Sequence, residues 1–200
     1  MKHFRMGHWA AAGVGFLAVT AGFALGCGSD GASDPPKDQE QTQDTVGPED
    51  RERIEMGLTL SPVAVNLAGL DRDMVGLGSY IVNAQGACND CHTNPPYAAG
   101  GNPFMGQPEQ INAPHFLAGG MTFPGGVVSA NITPDAQGMP AGLSFEAFLN
   151  LMRTGREPNG GILQVMPWPV YGKMRDADLR AVYEYLRSIP AAQPGTTPTP

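Results

Sequence analysis

Apolar residues recur at helical spacing in three stretches of the chain. In residues 73–84, Met74, Leu77 and Ile81 fall at i, i+3 and i+7, the spacing of one helix face. Gly78 sits inside that stretch at a cost to the helix, which points to close packing against another backbone. A second helix is predicted to open at Ser144, a good N-cap, with Leu143 and Phe148 spaced as a hydrophobic staple. Phe145, Phe148, Leu149 and Met152 form its buried stripe, and Gly155 ends it. A third runs from near Asp176, read as its N-cap, to Ser188 ahead of Pro190, with Leu179, Val182, Tyr183 and Leu186 as its stripe. Residues 94–142 show no periodicity and are dense in Gly and Pro. A loop that long and that apolar in a small domain normally wraps something. The fold class expected is all-α, about three main helices joined by long Gly/Pro-rich loops, over residues 70–190.

The two ends read differently. Residues 1–26 have Lys2 and Arg5 followed by an uncharged apolar run from Trp9 to Leu25, the pattern of a secretion signal. The run is short, rich in Gly and Ala, and has no stop-transfer flank, so a permanent membrane span is not expected. It ends Ala24-Leu25-Gly26-Cys27, which resembles the lipobox of bacterial lipoproteins and makes Cys27 the candidate for lipidation. Cleavage by an ordinary signal peptidase and an unmodified Cys27 are the alternatives. Residues 28–53 hold eight acidic side chains, three basic ones and only Ala32 and Val46 as apolar side chains. Such a segment buries too little surface to offset its ordering entropy, so residues 27–56 are expected to be a disordered, lipidated linker. As a coil it would reach roughly 30 Å. Residues 191–200, rich in Pro and Thr, are expected to be a disordered tail.

Charge narrows the function. Twelve Lys and Arg stand against 19 Asp and Glu, a formal charge of -7. Removing residues 1–26 takes Lys2 and Arg5 and no acid, leaving 10 basic residues against 19 acidic and a charge of -9. Nucleic acid is not an expected partner, because phosphates are bound by clustered Lys and Arg. With 27 Gly and 19 Pro in 200 residues, loops should outweigh regular structure, and a modest core is one that a cofactor can complete.

Directly after the first helix comes Cys88-Asn89-Asp90-Cys91-His92. C-x-x-C-H is the attachment pattern of c-type haem, in which both thiols add to the vinyl groups and the histidine lies beneath the iron. A thioredoxin-like dithiol would want a helix N-terminus after its first cysteine, whereas this pair follows a helix. A structural zinc site needs four ligands, and beyond Cys88, Cys91 and His92 the domain offers only His115. The second axial position separates carrier from catalyst. A thioether closes the iron and raises its potential, while an open site favours peroxide or gas chemistry. Met166 is the leading candidate. It lies in Gln164-Val165-Met166-Pro167-Trp168-Pro169, where Pro167 restricts it to an extended backbone. Met121, Met105 and His115 remain alternatives.

Gly78-Ser79-Tyr80-Ile81-Val82, Cys88 to Thr93, Asn131-Ile132-Thr133-Pro134-Asp135, Met152-Arg153-Thr154-Gly155, Met166-Pro167, and Asp178-Leu179 through Tyr185-Leu186-Arg187 follow one another in order and spacing. In these segments the chain resembles class I c-type cytochromes, and more narrowly the monohaem domains of cytochrome c subunits of membrane-bound alcohol and sugar-acid dehydrogenases. The resemblance implies a cytochrome c fold around one covalent haem c, with His92 and Met166 as axial ligands. It implies that the first and last helices cross, with Gly78 near Tyr183 or its neighbours. It also implies that Asn131 and Arg153 lie near the haem, where Arg153 would meet a propionate; a solvated charge at a helix C-terminus is the plainer account of Arg153. The expected protein is a periplasm-facing, exported lipoprotein of the cell membrane or outer membrane. It would be an electron-transfer protein rather than an enzyme, passing single electrons between a redox donor and acceptor. The rivals are a haem enzyme or ligand sensor with an open distal site, and a fixed electron-transfer subunit of a dehydrogenase complex.

Overall fold

The computed structural model describes residues 48–195; the expected leader, Cys27, the linker up to residue 47 and residues 196–200 lie outside the described residues. Among the described residues six α-helices follow in order: α1 Pro48–Leu60, α2 Arg72–Tyr80, α3 Cys88–His92, α4 Phe145–Thr154, α5 Trp168–Tyr171 and α6 Asp176–Ser188. A π-helical turn, Ile81–Gln85, continues α2. Among the described residues there is no strand, only isolated bridges between loop segments, so the all-α expectation holds. No described helix is long and apolar enough to cross a membrane.

The three expected helices form, each with its own signals. Asp71 caps α2, its carboxylate accepting from the backbone N–H groups of Asp73 and Met74. Val75 and Ile81 are buried, and Met74 and Leu77 pack against the same core. Ser144 caps α4 by accepting from the Ala147 N–H, and Gly155 closes the helix at φ +67. Phe148 and Met152 are its buried residues. All four expected stripe residues of α6 are buried, and so are Ala181 and Tyr185. That helix is packed on more than one side. Ala181 and Tyr185 face α2, while the Tyr183 ring lies 5.4 Å from Phe145 and 5.5 Å from Phe148 of α4. Glu184, nearly buried as a consequence, is held by Arg180 and Arg187, each at 2.8 Å.

Two expectations are corrected at the N-terminal side. Residues 48–60, expected partly as linker, form α1, so the folded region begins about twenty residues before position 70. Pro48 followed by Glu49 and Asp50 is a helix-start signature, with a fixed φ and acids facing the positive end of the dipole. Ile54 of α1 is buried, and Gly57 meets Gly76 of α2 so closely that a Cβ on Gly57 would sit 2.0 Å from the Gly76 carbonyl oxygen. A buried polar chain stitches this contact to α6. The Ser79 hydroxyl donates to the Gly57 carbonyl at 2.6 Å, Asn83 donates to the Ser79 and Tyr185 hydroxyls, and Tyr185 pairs with Ser61 at 2.9 Å.

Two more corrections fall near the C-terminus. Backbone geometry makes Arg175, not Asp176, the N-cap of α6, and the Arg175 side chain makes no capping bond. Asp176 instead accepts from Arg153, and Arg175 pairs with Asp178 at 2.8 Å. Residues 191–195, the start of the expected tail, are fastened down. Asn131 Nδ2 donates to the Ala192 carbonyl, the Ala192 N–H donates to Thr133 Oγ1, and His115 Nδ1 donates to the Gln193 carbonyl.

The crossing of α2 over α6 is as close as Gly78 foretold. A Cβ there would lie 1.9 Å from the Ala181 carbonyl oxygen and 2.8 Å from Tyr185 Cβ. Gly78→Ala is therefore expected to destabilise the domain by about 2 kcal/mol or more, read as a lowered midpoint in urea unfolding. An unchanged midpoint would show that the crossing has slack.

Candidate haem-attachment site

The segment between α2 and Cys88 is built to turn sharply. The Gly86 N–H bonds the Ile81 carbonyl at 2.7 Å, closing the π-turn. Ala87 then takes a left-handed conformation, φ 48 and ψ 34, that few non-glycine residues adopt. This reverses the chain into α3, which carries Cys88, Cys91 and His92 on a little more than one turn. Gly86 leaves room for the first thiol, since a Cβ there would come within 3.1 Å of Cys88 Sγ. Both thiols are unpaired. Burial, with Cys91 nearby, pushes the Cys88 thiol up to about 12, and burial with the Asp90 carboxylate raises that of Cys91. These are protonated, half-buried thiols, unlike the low-pKa thiolate of a dithiol oxidoreductase.

His92 is held by backbone. Its Nδ1 lies 2.8 Å from the Ala130 carbonyl oxygen. A carbonyl only accepts, so Nδ1 carries the proton and Nε2 is the nitrogen left with a free lone pair. Burial lowers the His92 pKa and the bond to Ala130 partly opposes this. The carbonyl of His92 in turn accepts from the Gly119 N–H. Gly119, at φ +74, lets the two loop segments meet, because a Cβ there would lie 2.5 Å from the Ala130 carbonyl. Thr93, fully buried, accepts the Leu117 N–H at 2.9 Å, and the Ile132 N–H bonds the Leu117 carbonyl. The long loop thus forms a frame around one imidazole.

Met166 comes to the same core. It is half-buried and packs, with Cys88, against the cluster formed by α2, α4 and α6. Residues 155–175 leave the end of α4 and return to the start of α6 as an arm. The Trp168 ring lies where a Cβ of Gly155 would fall, 2.4 Å from its nearest atoms. The Tyr171 hydroxyl donates to the Gly86 carbonyl at 2.7 Å. Arg153 donates to the carbonyls of Gly172 and Met174 and pairs with Asp176. Its guanidinium is thereby engaged along the arm. Asn131 adjoins the Ala130 carbonyl and is committed to Ala192 and Thr133, its Oδ1 accepting from the Thr133 N–H and hydroxyl.

Of the alternative axial donors, Met105 is largely exposed on the turn Pro103–Met105, Met121 is half-buried, and His115 is half-buried with Nδ1 on the Gln193 carbonyl, which leaves its Nε2 available as in His92. Sequence reasoning passed over Ala130, Thr93, Gly119 and Tyr171. Ala130 and Gly119 act through backbone or loop packing, the Thr93 hydroxyl bonds a residue 24 positions away and the Tyr171 hydroxyl one 85 positions away, so no local pattern marks them.

As a donor set, two unpaired thiols three residues apart, an imidazole with Nε2 available and a thioether packed on the same core as Cys88 suit a c-type haem. Among the described residues no group of three or more His, Cys, Asp and Glu is arranged to hold a bare metal ion. No family model matches the chain. It is similar to the gluconate 2-dehydrogenase cytochrome c subunit of Pantoea cypripedii, 33% identical over 116 residues, which is 56% of this chain and 22% of that protein. It is likewise similar to the alcohol dehydrogenase (quinone) cytochrome c subunit of Gluconobacter oxydans, 28% identical over 61% of this chain and 23% of the relative. The fructose dehydrogenase cytochrome subunit of Gluconobacter japonicus is 28% identical over 70% of this chain and 26% of the relative. The chain thus matches about a quarter of the length of these relatives, and the resemblance read from its motifs stands.

Thr93→Val, which keeps the shape and removes the acceptor, leaves the buried Leu117 N–H without its partner and is expected to cost about 1–3 kcal/mol. Thr93→Ser should recover most of the loss. Urea titration of both variants checks this, and equal loss in the two would assign the effect to packing.

Proposed function

We propose that this chain is an electron-transfer protein of cytochrome c fold, carrying one covalently attached haem c, and not an enzyme. The observation that carries the reading is the state of His92. Its Nδ1 is fixed on the Ala130 carbonyl, which orients the ring and leaves Nε2 as the ligating nitrogen beside two unpaired thiols. Cys88 and Cys91 are assigned the thioether bonds, and His92 and Met166 the iron. When bound, the haem supplies an iron that alternates between ferric and ferrous.

The chain's own residues do the rest. The framed loop fixes the imidazole, and the arm holds the Met166 sulfur against the core. Phe116, Leu117, Phe148 and Met152, all buried, supply an apolar surround that favours the less charged reduced state. A thioether ligand calls for a comparatively high potential. Asn131 is assigned to the support of the Ala130 loop. Arg153, with its donors on Gly172, Met174 and Asp176, is assigned to the arm.

The names of the similar proteins favour a redox chain in which a dehydrogenase is the donor, with a second redox protein as acceptor. Whether the chain shuttles freely or sits in such a complex is read from co-purification after mild detergent extraction. We further propose that Cys27 is lipidated and that the domain faces the periplasm from a bacterial membrane, tethered by the acidic segment. Acidic residues are suited to steer it toward a basic partner face.

The visible spectrum of the haem-loaded protein tests the ligation. The ferric wild type should show the weak far-red band of sulfur–iron ligation, and Met166→Ala should lose it. Ready carbon monoxide binding by the reduced wild type, without that band, would instead favour the ligand-sensing or enzymatic rival. For the anchor, Cys27→Ser should move the protein from the membrane to the soluble fraction and abolish labelling by a radioactive fatty acid; unchanged partition would refute lipidation.

A further inference from the structure

The contacts that fasten the Met166 arm are not equivalent. Trp168 on Gly155 and Arg153 on Gly172 and Met174 both tie the arm back to α4, the helix it leaves. The Tyr171 hydroxyl reaches the other half of the site, bonding the Gly86 carbonyl across 85 residues of sequence. Gly86 ends the π-turn, two residues before Cys88, and packs against that cysteine's sulfur. Tyr171 belongs to α5, a helix of four residues, too short to persist without tertiary support.

We propose that Tyr171 is a positioning residue that latches the Met166 arm to the haem-attachment segment, so that the position of the thioether is set relative to Cys88–His92 rather than to α4 alone. The proposal rests on the His92/Met166 reading. Met166 lies five residues before Tyr171, with Pro167 and Pro169 stiffening the stretch between them, so a displacement at the hydroxyl carries to the sulfur. Tyr171 is half-buried, which shields its bond from water, and burial raises its pKa, keeping the hydroxyl protonated and donating. Releasing the latch leaves Met166 covalently and sterically able to reach the iron but raises the fraction of time the arm is open.

Tyr171→Phe keeps the ring and removes only the hydroxyl. In the haem-loaded protein it should weaken the ferric far-red band and speed carbon monoxide binding by the ferrous form about fivefold, the population change that loss of one ordinary hydrogen bond produces. The urea midpoint should fall by no more than that one bond accounts for, and amide exchange should quicken over residues 163–174 but not over α4. Arg153→Met, which removes the donors to Gly172, Met174 and Asp176 and leaves the Tyr171 bond, should change carbon monoxide binding less than Tyr171→Phe does. If the wild type shows the far-red band and Tyr171→Phe matches it in band, carbon monoxide rate and amide exchange, the latch is wrong and the ligation reading survives. If the wild type itself lacks the band, the ligation reading fails and the latch fails with it.

Discussion

The close crossing of α2 and α6 is the constraint on which the rest hangs. Because Gly78 has no Cβ, the α2 backbone rests on the Ala181 carbonyl, and the two helices meet at backbone distance. α2 runs directly into the π-turn and Cys88–His92, and α6 follows directly on the arm that carries Met166. Fixing one helix on the other therefore fixes the roots of both halves of the donor set. α4 then closes the third side through Phe145 and Phe148 on Tyr183. An interior this small cannot tolerate a methyl group of error at that contact, since close-packed cores relax only partially.

Much of the remaining order comes from polar groups bonded in places where water is excluded. The chain from the Gly57 carbonyl through Ser79, Asn83, Tyr185 and Ser61 joins α1, α2 and α6 at one register. Buried and hydrogen-bonded, such groups penalise any other alignment, because each would lose its partner. The same logic operates in the loops, where Thr93 and the carbonyls of Ala130, His92 and Leu117 replace the regular structure that residues 94–142 lack. A long irregular segment becomes a rigid frame because its backbone groups are satisfied one by one.

The helices that carry strong amphipathic stripes were legible, and so was the grouping of Cys88, Cys91 and His92, whose spacing alone puts them on one short helix. α1 was not. Its buried face consists largely of Ile54 and Gly57, and a glycine that packs by absence contributes nothing to a hydrophobic pattern. The surrounding acids read as a solvated linker, and only Pro48-Glu49-Asp50 announced a helix start. Residues 191–195 misled in the same way, being polar and Pro-rich yet held by Asn131, Thr133 and His115. Asp176 looked like a cap because it has the right side chain, but Arg153 claims its carboxylate.

By itself the sequence determined which residues carry the C-x-x-C-H spacing, which faces of three helices turn inward, and that Gly78 marks a close approach. These are local matters, governed by periodicity, caps and the reactivity of single side chains. Tertiary structure decided which carbonyl orients His92, where Arg153 spends its donors and what Tyr171 grips. Each of those bonds joins residues from 19 to 85 positions apart. A backbone carbonyl is present at every position and carries no sequence signature, so its role exists only once folding brings a donor to it.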